Sequence, residues 1–419
     1  MTTAPDRVTY REVFGVAEFR AMWFGELLSI AGDQLARVAL SVLVFTNTHS
    51  ATLTGLTYAL TFFPSLLGGI FLTGFADRFP RRTVMVVVDS IRACLILAVA
   101  IPGLPFWSLC VLVGGVSLLN PPFKAAQLAI LPQVLEGDRF VVGMGLRSMT
   151  VQSAQLLGFA GGGALLATLD TRVALSLDAA TFVISALCLR FGLKQRPAAA
   201  SGEKRKPFFA SLSAGGKIAF SSSAMRSLVI FTWLAGLMPV YEGIAAPYAE
   251  ATGGGKLMLG LLLAADPIGS VIFTFAYTRW VPAEIRPKLI APLTALATVP
   301  LLVCFLQPGG VVSLILFVVS GGFGTVALLQ ATASLTIAVP DKSRAQTMGL
   351  SNTGLTTVLG ITPLIGGVLA DHVSVQTTVG IFGLAGLLIT IPIAIAWHRA
   401  GSGGTEEPAK KEGARAEHA

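Results

Sequence analysis

Long apolar blocks separated by short polar segments constrain the fold of this chain more than any other feature. Each block approaches the roughly 20 residues needed to cross ~30 Å of hydrocarbon. Charged residues make up 12% of the chain, about half the share in an average soluble domain. Lipid cannot hydrogen-bond backbone N–H and C=O groups, so membrane blocks of this length must be helices. The sequence therefore predicts an all-α membrane protein.

We predict twelve membrane-spanning helices, with both termini in the cytoplasm. The spans lie at about 19–46, 52–76, 83–102, 106–128, 142–168, 173–193, 226–249, 255–279, 287–306, 310–336, 344–370 and 376–397. Lysine and arginine in the connecting segments fall almost entirely on one side, and the other side holds only Arg172 and Lys256. The positive-inside rule makes the basic side cytoplasmic. The net charge of +8 thus reflects membrane orientation, and we expect no nucleic-acid partner.

The longest polar interruption, residues 194–223, divides the spans into two six-helix bundles. We predict an N-terminal bundle at 1–193, a cytoplasmic linker at 194–223, a C-terminal bundle at 224–400 and a disordered tail at 401–419. At a constant offset of 204 residues, Met144-Gly145-Leu146 aligns with Met348-Gly349-Leu350, and Gly162-Gly163 aligns with Gly366-Gly367. Coincidence in a glycine-rich chain is the alternative, but the shared Met-Gly-Leu favours an internal duplication.

A short charged loop joins the second and third predicted spans. It reads Gly74-Phe75-Ala76-Asp77-Arg78-Phe79-Pro80-Arg81-Arg82. The loop resembles the Gly-x-x-x-Asp-Arg-x-Gly-Arg-Arg/Lys motif of major facilitator superfamily transporters, with Pro80 where the family usually has glycine. Residues 120–125, 177–182 and 261–265 are similar to the branch that holds macrolide-efflux, enterobactin-exporter and lysophospholipid-transporter relatives.

This resemblance covers nearly all of residues 15–400 and carries expectations about fold and activity. It implies the major facilitator fold, in which two pseudo-symmetric bundles rock around a central cavity. Proton-coupled export is the commonest activity of the branch, and some members move lipids or siderophores instead. Two features of this chain depart from the pattern of the drug/proton antiporters. The fourth span lacks the arginine usual in drug/proton antiporters, and Gly161-Gly162 replaces their Gly-Pro in the fifth.

For the loop, the resemblance implies a conformational latch. Asp77 would accept hydrogen bonds from the N-terminal turn of the eleventh span, where free N–H groups and the helix dipole favour an anion. Arg78 and Arg81 would pair with neighbouring cytoplasmic helix ends, and Gly74 and Arg82 complete the motif. A plain positive-inside turn is the alternative, although arginine alone would serve that purpose.

Charged residues near the middle of a span are functional candidates, because each costs roughly 2.5–3.5 kcal/mol or more. Asp33 stands near the middle of the first span, with Glu26 seven residues before it and Arg37 four residues after. At about 100° per residue the three share one stripe of the helix. Asp33 is our first candidate for the coupling proton. Alternatively, Asp33 and Arg37 form an i,i+4 pair that only holds the helix in its bundle.

Three further positions bear on protons or substrate. Asp266, in the eighth span, could carry protons or attract a cationic substrate, or it could cap a helix that restarts at Pro267. Glu242 and Tyr241, in the outer half of the seventh span, could contact substrate near the external mouth, or Glu242 could sit in an aqueous vestibule. We count Glu242 and Glu26 as further proton-coupling candidates.

Two residues at the start of the fifth span could line the inner cavity. These are Arg147 and Gln152, although Arg147 could instead extend to the cytoplasm.

These patterns predict a secondary transporter of a bacterial cytoplasmic membrane, and no enzyme. We expect it to export a hydrophobic or amphipathic small molecule by alternating access, driven by inward proton flow. We expect a monomer with a small-molecule substrate, protons and the lipid bilayer as partners, and no cofactor or metal. Lipid or siderophore transport with weak proton coupling is one alternative. A non-transporting membrane receptor is another, but the retained buried carboxylates disfavour it.

Overall fold

The regular structure in the described part of the chain is helical throughout. This computed structural model describes residues 9–197 and 208–403, with the side chains of residues 76, 77, 208–211, 341, 342 and 400–403 excepted. The helices are α1 (Tyr10–Gly15), α2 (Ala17–Thr48), α3 (Ala51–Ala59), α4 (Phe63–Phe71), α5 (Phe75–Arg78), α6 (Arg81–Val99), α7 (Phe106–Leu118), α8 (Asn120–Val134), α9 (Asp138–Thr168), α10 (Thr171–Gly192), α11 (Phe208–Ala219), α12 (Ser223–Leu234), α13 (Val240–Gly243), α14 (Ala245–Ala251), α15 (Gly255–Trp280), α16 (Ile290–Leu302), α17 (Gly310–Ala338), α18 (Asp341–His372) and α19 (Val375–Gly403). Short 3₁₀ turns at Arg286–Leu289 and Val303–Leu306 flank α16.

Three predicted spans are broken into consecutive helices. Pro64 lies in the first turn of α4, Pro121 and Pro122 open α8, and Pro239 directly precedes α13. Proline has no backbone N–H, and its ring clashes with the preceding turn, so a helix tends to end before it. The second, fourth and seventh predicted spans therefore correspond to α3–α5, α7–α8 and α12–α14.

Within the described residues, nine helical stretches are long and apolar enough to cross a membrane. Of the three other predicted spans, 83–102 is α6, which carries Arg81, Arg82, Asp89 and Arg92. The span at 142–168 is α9, rich in glycine, serine and glutamine, and the span at 226–249 is the broken α12–α14. All three are helical, but their charge, polarity or interruption weakens the apolar signal.

The helices pack in two groups. In the first, α2 packs on α9 and α10, and α6 packs on α7, α8 and α10. In the second, α17 packs on α12, α15 and α16, and α19 packs on α12 and α16. The two groups meet mainly where α9 lies against α15 and α3 lies against α18. Much of the predicted linker, residues 198–207, lies outside the described residues, but α11 forms within it and packs on α18 with Lys217 exposed.

Glycines allow the two groups of helices to touch backbone to backbone. A methyl group added to Gly163 of α9 would lie 2.6 Å from the Cα of Gly260 in α15. A methyl group added to Gly367 of α18 would lie 2.5 Å from the carbonyl oxygen of Ala51, at the start of α3. Small residues let helices approach this closely in a lipid-facing protein, where close packing is a main source of association. These glycines therefore position the two groups relative to each other.

The predicted duplication has a counterpart in the helix boundaries. Helix α9 spans 138–168 and α18 spans 341–372, so their ends differ by 203 and 204 residues. The close contacts repeat at nearly the same interval, since Gly163 and Gly367 differ by 204 and their partners near Gly55 and Gly260 differ by 205. The last helix runs to Gly403, which carries it three residues into the predicted tail. Residues 404–419 of that tail lie outside the described residues.

Candidate functional site

A polar cavity of about 350 Å³ lies within the first group of helices. Side chains from α2, α6, α8 and α9 line it. Its charged lining residues are Glu26, Asp33, Arg37, Arg92, Lys124 and Arg147. Apolar side chains of Ile30, Phe123, Leu128 and Val151 complete the wall. The cavity thus offers both charge and apolar surface to whatever enters it.

Helix α2 contributes the predicted stripe. Glu26, Asp33 and Arg37 all line this cavity, because steps of seven and four residues return to nearly the same face of an α-helix. Gly32 directly precedes Asp33 and lies on the face of α2 that packs on α10. There it contacts the side chains of Thr181 and Asp178. A side chain at Gly32 would push α2 away from α10. Glycine at this position therefore allows the present spacing of the two helices, and with it the position of the stripe in the cavity.

Asp33 is held by Arg92 of α6. The Arg92 Nη2 lies 3.4 Å from the Asp33 Oδ2, and the Arg92 Nη1 lies 3.7 Å from the Asp89 Oδ1. Arg92 and Asp89 are buried, whereas 26% of the Asp33 side chain is exposed. The predicted alternative, an i,i+4 pair of Asp33 with Arg37, is wrong because the guanidinium from the neighbouring helix takes that place.

Asp33 also borders a second, smaller cavity. This space of about 40 Å³ is lined by Asp33, Arg37, Arg92 and Asp178 among others. It is large enough to admit a water molecule, and polar groups surround it. The carboxylate of Asp33 therefore lies between two spaces that water can reach, and it is not sealed in a fully bonded interior.

Arg37 packs on aromatic rings of the second predicted span. Its guanidinium carbon lies 5.8 Å from the ring centre of Tyr58 and 5.5 Å from that of Phe62. A cation at this distance over an aromatic face is attracted by the ring quadrupole. The rings orient Arg37 while leaving it without a carboxylate partner within 4 Å among the described residues.

Glu26 and Arg147 form a bidentate ion pair across the cavity. The Arg147 Nη2 lies 2.6 Å from the Glu26 Oε1, and the Arg147 Nε donates to the Glu26 Oε2 at 3.0 Å. Arg147 also donates to the side-chain oxygen of Gln127 at 3.2 Å. The alternative in which Arg147 extends to the cytoplasm is therefore wrong, since the Arg147 guanidinium is bound by Glu26 inside the cavity.

Gln152 does not line this cavity, and Gln155 does. Arg147, Val151 and Gln155 repeat every four residues and share one face of α9, whereas Gln152 lies about 140° round the helix from Arg147. The prediction of Gln152 is therefore wrong, because the four-residue spacing from Arg147 leads to Gln155.

Lys124 and Asn120 of α8 also line the cavity, and neither was among the predicted site residues. Lys124 is exposed to this space, and no carboxylate of the described residues lies within 4 Å of its ammonium. The sequence signal for Lys124 is its position inside an apolar block, two residues after Pro122.

The candidates of the second group of helices lie apart from this cavity. Glu242 of α13 accepts a hydrogen bond of 2.5 Å from the hydroxyl of Tyr58 of α3, which joins the two groups of helices. Tyr241 is 1% exposed and stacks on Phe317 with ring centres 4.0 Å apart. The prediction that Tyr241 faces a substrate cavity is therefore wrong in this conformation, because its ring is part of the core.

Asp266 lies inside α15, which continues without a break from Gly255 to Trp280. The predicted alternative of a helix restarting at Pro267 is thus wrong, and Asp266 is not an N-cap. Its backbone packs against Gly321 of α17, where an added methyl group would lie 2.8 Å from the Asp266 Cα. Its carboxylate is close enough to that of Glu242 for the two to repel each other.

The charged loop lies at one end of the first group of helices. Gly74 is the N-cap of α5, and the side chain of Asp77 lies outside the described residues. Arg81 donates to the carbonyl oxygen of Ala129 in α8 at 2.7 Å, and Arg82 donates to the carbonyl oxygen of Arg190 in α10. Arg78 is exposed. Arg81 and Arg82 thus tie the loop to neighbouring helices of its own group.

At the opposite end, Asp371 links the two groups of helices. Its Oδ1 accepts from the backbone N–H of Ala51 at 2.8 Å, and its Oδ2 accepts from the N–H of Thr52 at 3.0 Å and the hydroxyl of Ser50 at 2.9 Å. These donors form the N-terminus of α3, where free N–H groups and the helix dipole favour an anion. Asp371 was not among the predicted site residues, since its partners are more than 300 residues away in the chain.

Comparison with known families decides the class of protein. A family model described as Major Facilitator Superfamily matches residues 22–246 and 241–418. The chain belongs to the major facilitator superfamily. The resemblance carried by the charged loop is confirmed, and the transporter is a multi-pass membrane protein.

Two curated relatives belong to the same superfamily. The transporter is 24% identical over 312 residues to the lysophospholipid transporter LplT of Yersinia enterocolitica, a match covering 70% of this chain and 73% of that protein. It is 21% identical over 267 residues to the uncharacterized MFS-type transporter YfmI of Bacillus subtilis, covering 61% of this chain and 66% of that protein.

Solved structures share the fold at low sequence identity. The nucleoside transporter NupG superposes with a TM-score of 0.72 at 14% identity, covering 91% of this chain and 99% of NupG. A bacterial homolog of the human lysosomal transporter Spinster, in an inward-facing and occupied conformation, superposes with a TM-score of 0.68 at 16% identity, covering 94% and 97% of the two chains. These likenesses establish the all-helical transporter fold of this chain.

Proposed function

We propose that this transporter exports a hydrophobic or amphipathic small molecule by alternating access, in exchange for protons. The proposal rests on the environment of Asp33. Its carboxylate is partly exposed, lines two cavities and lies beside the guanidinium of Arg92. Burial opposes ionisation of a carboxylate and a nearby cation favours it. A group balanced between these effects can take up a proton in one state of the transporter and release it in the other.

The proposed membrane arrangement has twelve crossings and two six-helix bundles. The bundles occupy 1–193 and 224–400, joined by a cytoplasmic linker at 194–223 and followed by a cytoplasmic tail. The basic connecting segments support cytoplasmic termini, and the natural location is a bacterial inner membrane. In this arrangement the contacts at Gly163, Gly367 and Asp371 lie at the outer end, so the conformation is closed to the outside.

The polar cavity would then open towards the cytoplasm. Glu26 and Arg147 lie nearer the cytoplasmic ends of α2 and α9 than Asp33 does, which gives substrate and protons a path to Asp33 from inside. The inward-facing conformation of the Spinster homolog supports this assignment. The loop motif at 74–82 would act as the inner latch, with Asp77 binding the N-terminus of α18 after the halves rock.

Glu242, Glu26 and Asp266 are secondary candidates for proton coupling. Glu242 differs from the other two because its hydrogen-bond partner, Tyr58, lies in the other bundle. Protonation of Glu242 would weaken a contact that exists only while the outer end is closed, which would couple proton binding to rocking of the bundles.

Lipid transport with weak proton coupling is the second candidate function. The match to the lysophospholipid transporter LplT, over 70% of this chain, favours it, as does the mixture of charged and apolar side chains in the cavity. It differs from the first function in its driving force: flux of a lipid would persist without a pH gradient.

The decisive experiment measures transport by the full chain in proteoliposomes with and without an imposed pH gradient. Candidate amphipathic compounds would first be selected by the rise in melting temperature that a native-state ligand causes. We expect Asp33→Asn to abolish gradient-driven flux at normal protein levels, because the amide cannot carry the proton.

Glu136→Gln is the matched control, since Glu136 is exposed and lies in the loop after α8. Full gradient-driven flux in the Asp33→Asn protein would refute the assignment of Asp33. Wild-type flux that ignores the gradient would favour lipid transport, and no flux of any compound would favour a receptor.

A further inference from the structure

The polar cavity carries cationic side chains that the ion pairs of the protein do not neutralise. Arg147 is matched by Glu26, and Arg92 is shared by Asp33 and Asp89. These pairs account for both carboxylates that line the cavity. Arg37 and Lys124 remain, each facing the cavity without a carboxylate within 4 Å among the described residues.

Lys124 lies within electrostatic range of the three arginines that line this cavity. The guanidinium groups of Arg92, Arg37 and Arg147 all lie close enough to repel its ammonium, and the carboxylates of Asp33 and Glu26 lie close enough to attract it. No side chain or backbone acceptor of the described residues is within hydrogen-bond distance of the ammonium. Among the described residues that line this cavity, four side chains are cationic and two are carboxylates, and this excess of positive charge favours an anion there.

We propose that the substrate is an amphiphile with an anionic head, a phosphate or carboxylate group, that binds Lys124 and Arg37. Lysine acts on such a group as a point charge, and arginine offers it a planar pair of N–H donors. Arg37 is oriented for this by the rings of Tyr58 and Phe62. The apolar side chains of Phe123, Leu128 and Val151 line the same space and would contact the hydrocarbon part of the substrate.

The inference rests on the proposed transport function, since it assigns the substrate class of that same cavity. It also makes this cavity unfavourable for a cationic substrate, whereas Asp266 lies apart from the cavity. A cation entering this cavity would meet Arg37 and Lys124 before it met an unpaired carboxylate.

Calorimetric titration of the full chain in phosphatidylcholine nanodiscs tests the proposal. The probes are hexyl phosphate, hexyltrimethylammonium and inorganic phosphate, with empty nanodiscs as the blank. We expect hexyl phosphate to bind, hexyltrimethylammonium not to bind, and inorganic phosphate to bind more weakly because it lacks the chain. Equal binding of hexyl phosphate and hexyltrimethylammonium, or of hexyl phosphate and inorganic phosphate, would overturn the proposal.

Substitutions locate the site. Lys124→Gln should weaken hexyl phosphate binding about 30-fold, because the bound ligand would enclose the phosphate–ammonium pair in the cavity and the substitution removes one of its two charges. Lys124→Arg keeps the charge and should retain most of the affinity. Lys256→Gln is the matched control, because Lys256 is exposed at the far end of α15. Unchanged binding in Lys124→Gln would overturn the proposal.

Two outcomes separate this inference from the proposed proton coupling. If the wild-type protein binds hexyl phosphate through Lys124 but shows no gradient-driven flux, the anionic substrate class stands and the coupling fails. If gradient-driven flux is found for a cationic amphiphile that binds independently of Lys124, the coupling stands and the inference about the anion is overturned.

Discussion

Arg92 connects two carboxylates that differ in their access to water. Asp89 is buried and also accepts a hydrogen bond of 2.7 Å from the hydroxyl of Ser185, while Asp33 is partly exposed to the cavities. The Arg92 guanidinium lies 4.5 Å from the ring centre of Phe182, which fixes its position further. Neutralising Asp33 leaves Arg92 paired with Asp89, so the fold can tolerate a change at Asp33 that it would not tolerate at Arg92.

Arg92→Met should therefore destabilise the protein strongly. Removing the cation leaves Asp89 buried without a compensating charge, which costs about 3–5 kcal/mol. Thermal unfolding in detergent, followed by tryptophan fluorescence, would show a clear fall in melting temperature. Arg226→Met is the control, since Arg226 is exposed at the start of α12. Equal stability of the two variants would contradict the structural role of Arg92.

At the scale of elements, the C-terminal end of α18 is fixed to the N-terminal end of α3 by one carboxylate. Asp371 accepts from two backbone N–H groups that α3 itself leaves without helical partners, and from the hydroxyl of Ser50, whose oxygen in turn accepts from the Leu53 N–H. Since α18 and α3 belong to different groups of helices, these bonds exist only while this end of the molecule is closed. Asp371 is thus placed to stabilise one conformation over another.

Asp371→Ala should shift the population towards a conformation open at this end. A helix cap contributes about 0.5–2 kcal/mol, enough to change a conformational ratio several-fold. Spin labels on Asn47→Cys and Glu250→Cys, exposed near this end in α2 and α14, would report longer distances. Asp170→Ala is the matched control, because Asp170 caps α10 at the Arg172 N–H within one group of helices. Identical distance distributions in the two variants would argue against a role for Asp371 in closure.

For the whole molecule, the closed end depends on two contacts that are related by the internal repeat. Gly163 meets Gly260, and Gly367 meets the start of α3 near Gly55. The neighbours in both contacts are backbone atoms, which cannot move aside as a flexible side chain can. Each glycine is therefore required by close approach, and the duplication explains why the requirement occurs twice.

Gly163→Val and Gly367→Val should impair transport to a similar degree by preventing closure of this end. Gly161→Val and Gly349→Val are matched controls, since an added methyl group at either position meets nothing within 4 Å. Proteoliposome flux and the spin-label distances described above would measure the effect. Full flux in both Gly163→Val and Gly367→Val would rule out backbone contact at these glycines as a condition of the transport cycle.

Several residues of the candidate site could be predicted from the sequence, whereas the cavity-lining glutamine and the partner of Asp33 were predicted wrongly. Glu26, Asp33 and Arg37 were predicted to share a face of the first helix, and they line one cavity. The same helical spacing applied to α9 would have selected Gln155 over Gln152. The partner of Asp33 was predicted within its own helix, because a sequence reveals neighbours four residues apart and does not reveal which arginine an adjacent helix brings.

What the sequence determined by itself was the class of the molecule: an all-helical membrane protein of the major facilitator superfamily, with acids and bases in its spans. Those features follow from the length of apolar blocks and from a local motif, and both are properties of contiguous residues. The tertiary structure alone decided the pairing of Asp33 with Arg92, the exposure of Lys124 to the cavity, and the closure at Gly163, Gly367 and Asp371. Each of these joins helices far apart in the chain, and such contacts arise from the packing of surfaces, which no local periodicity encodes.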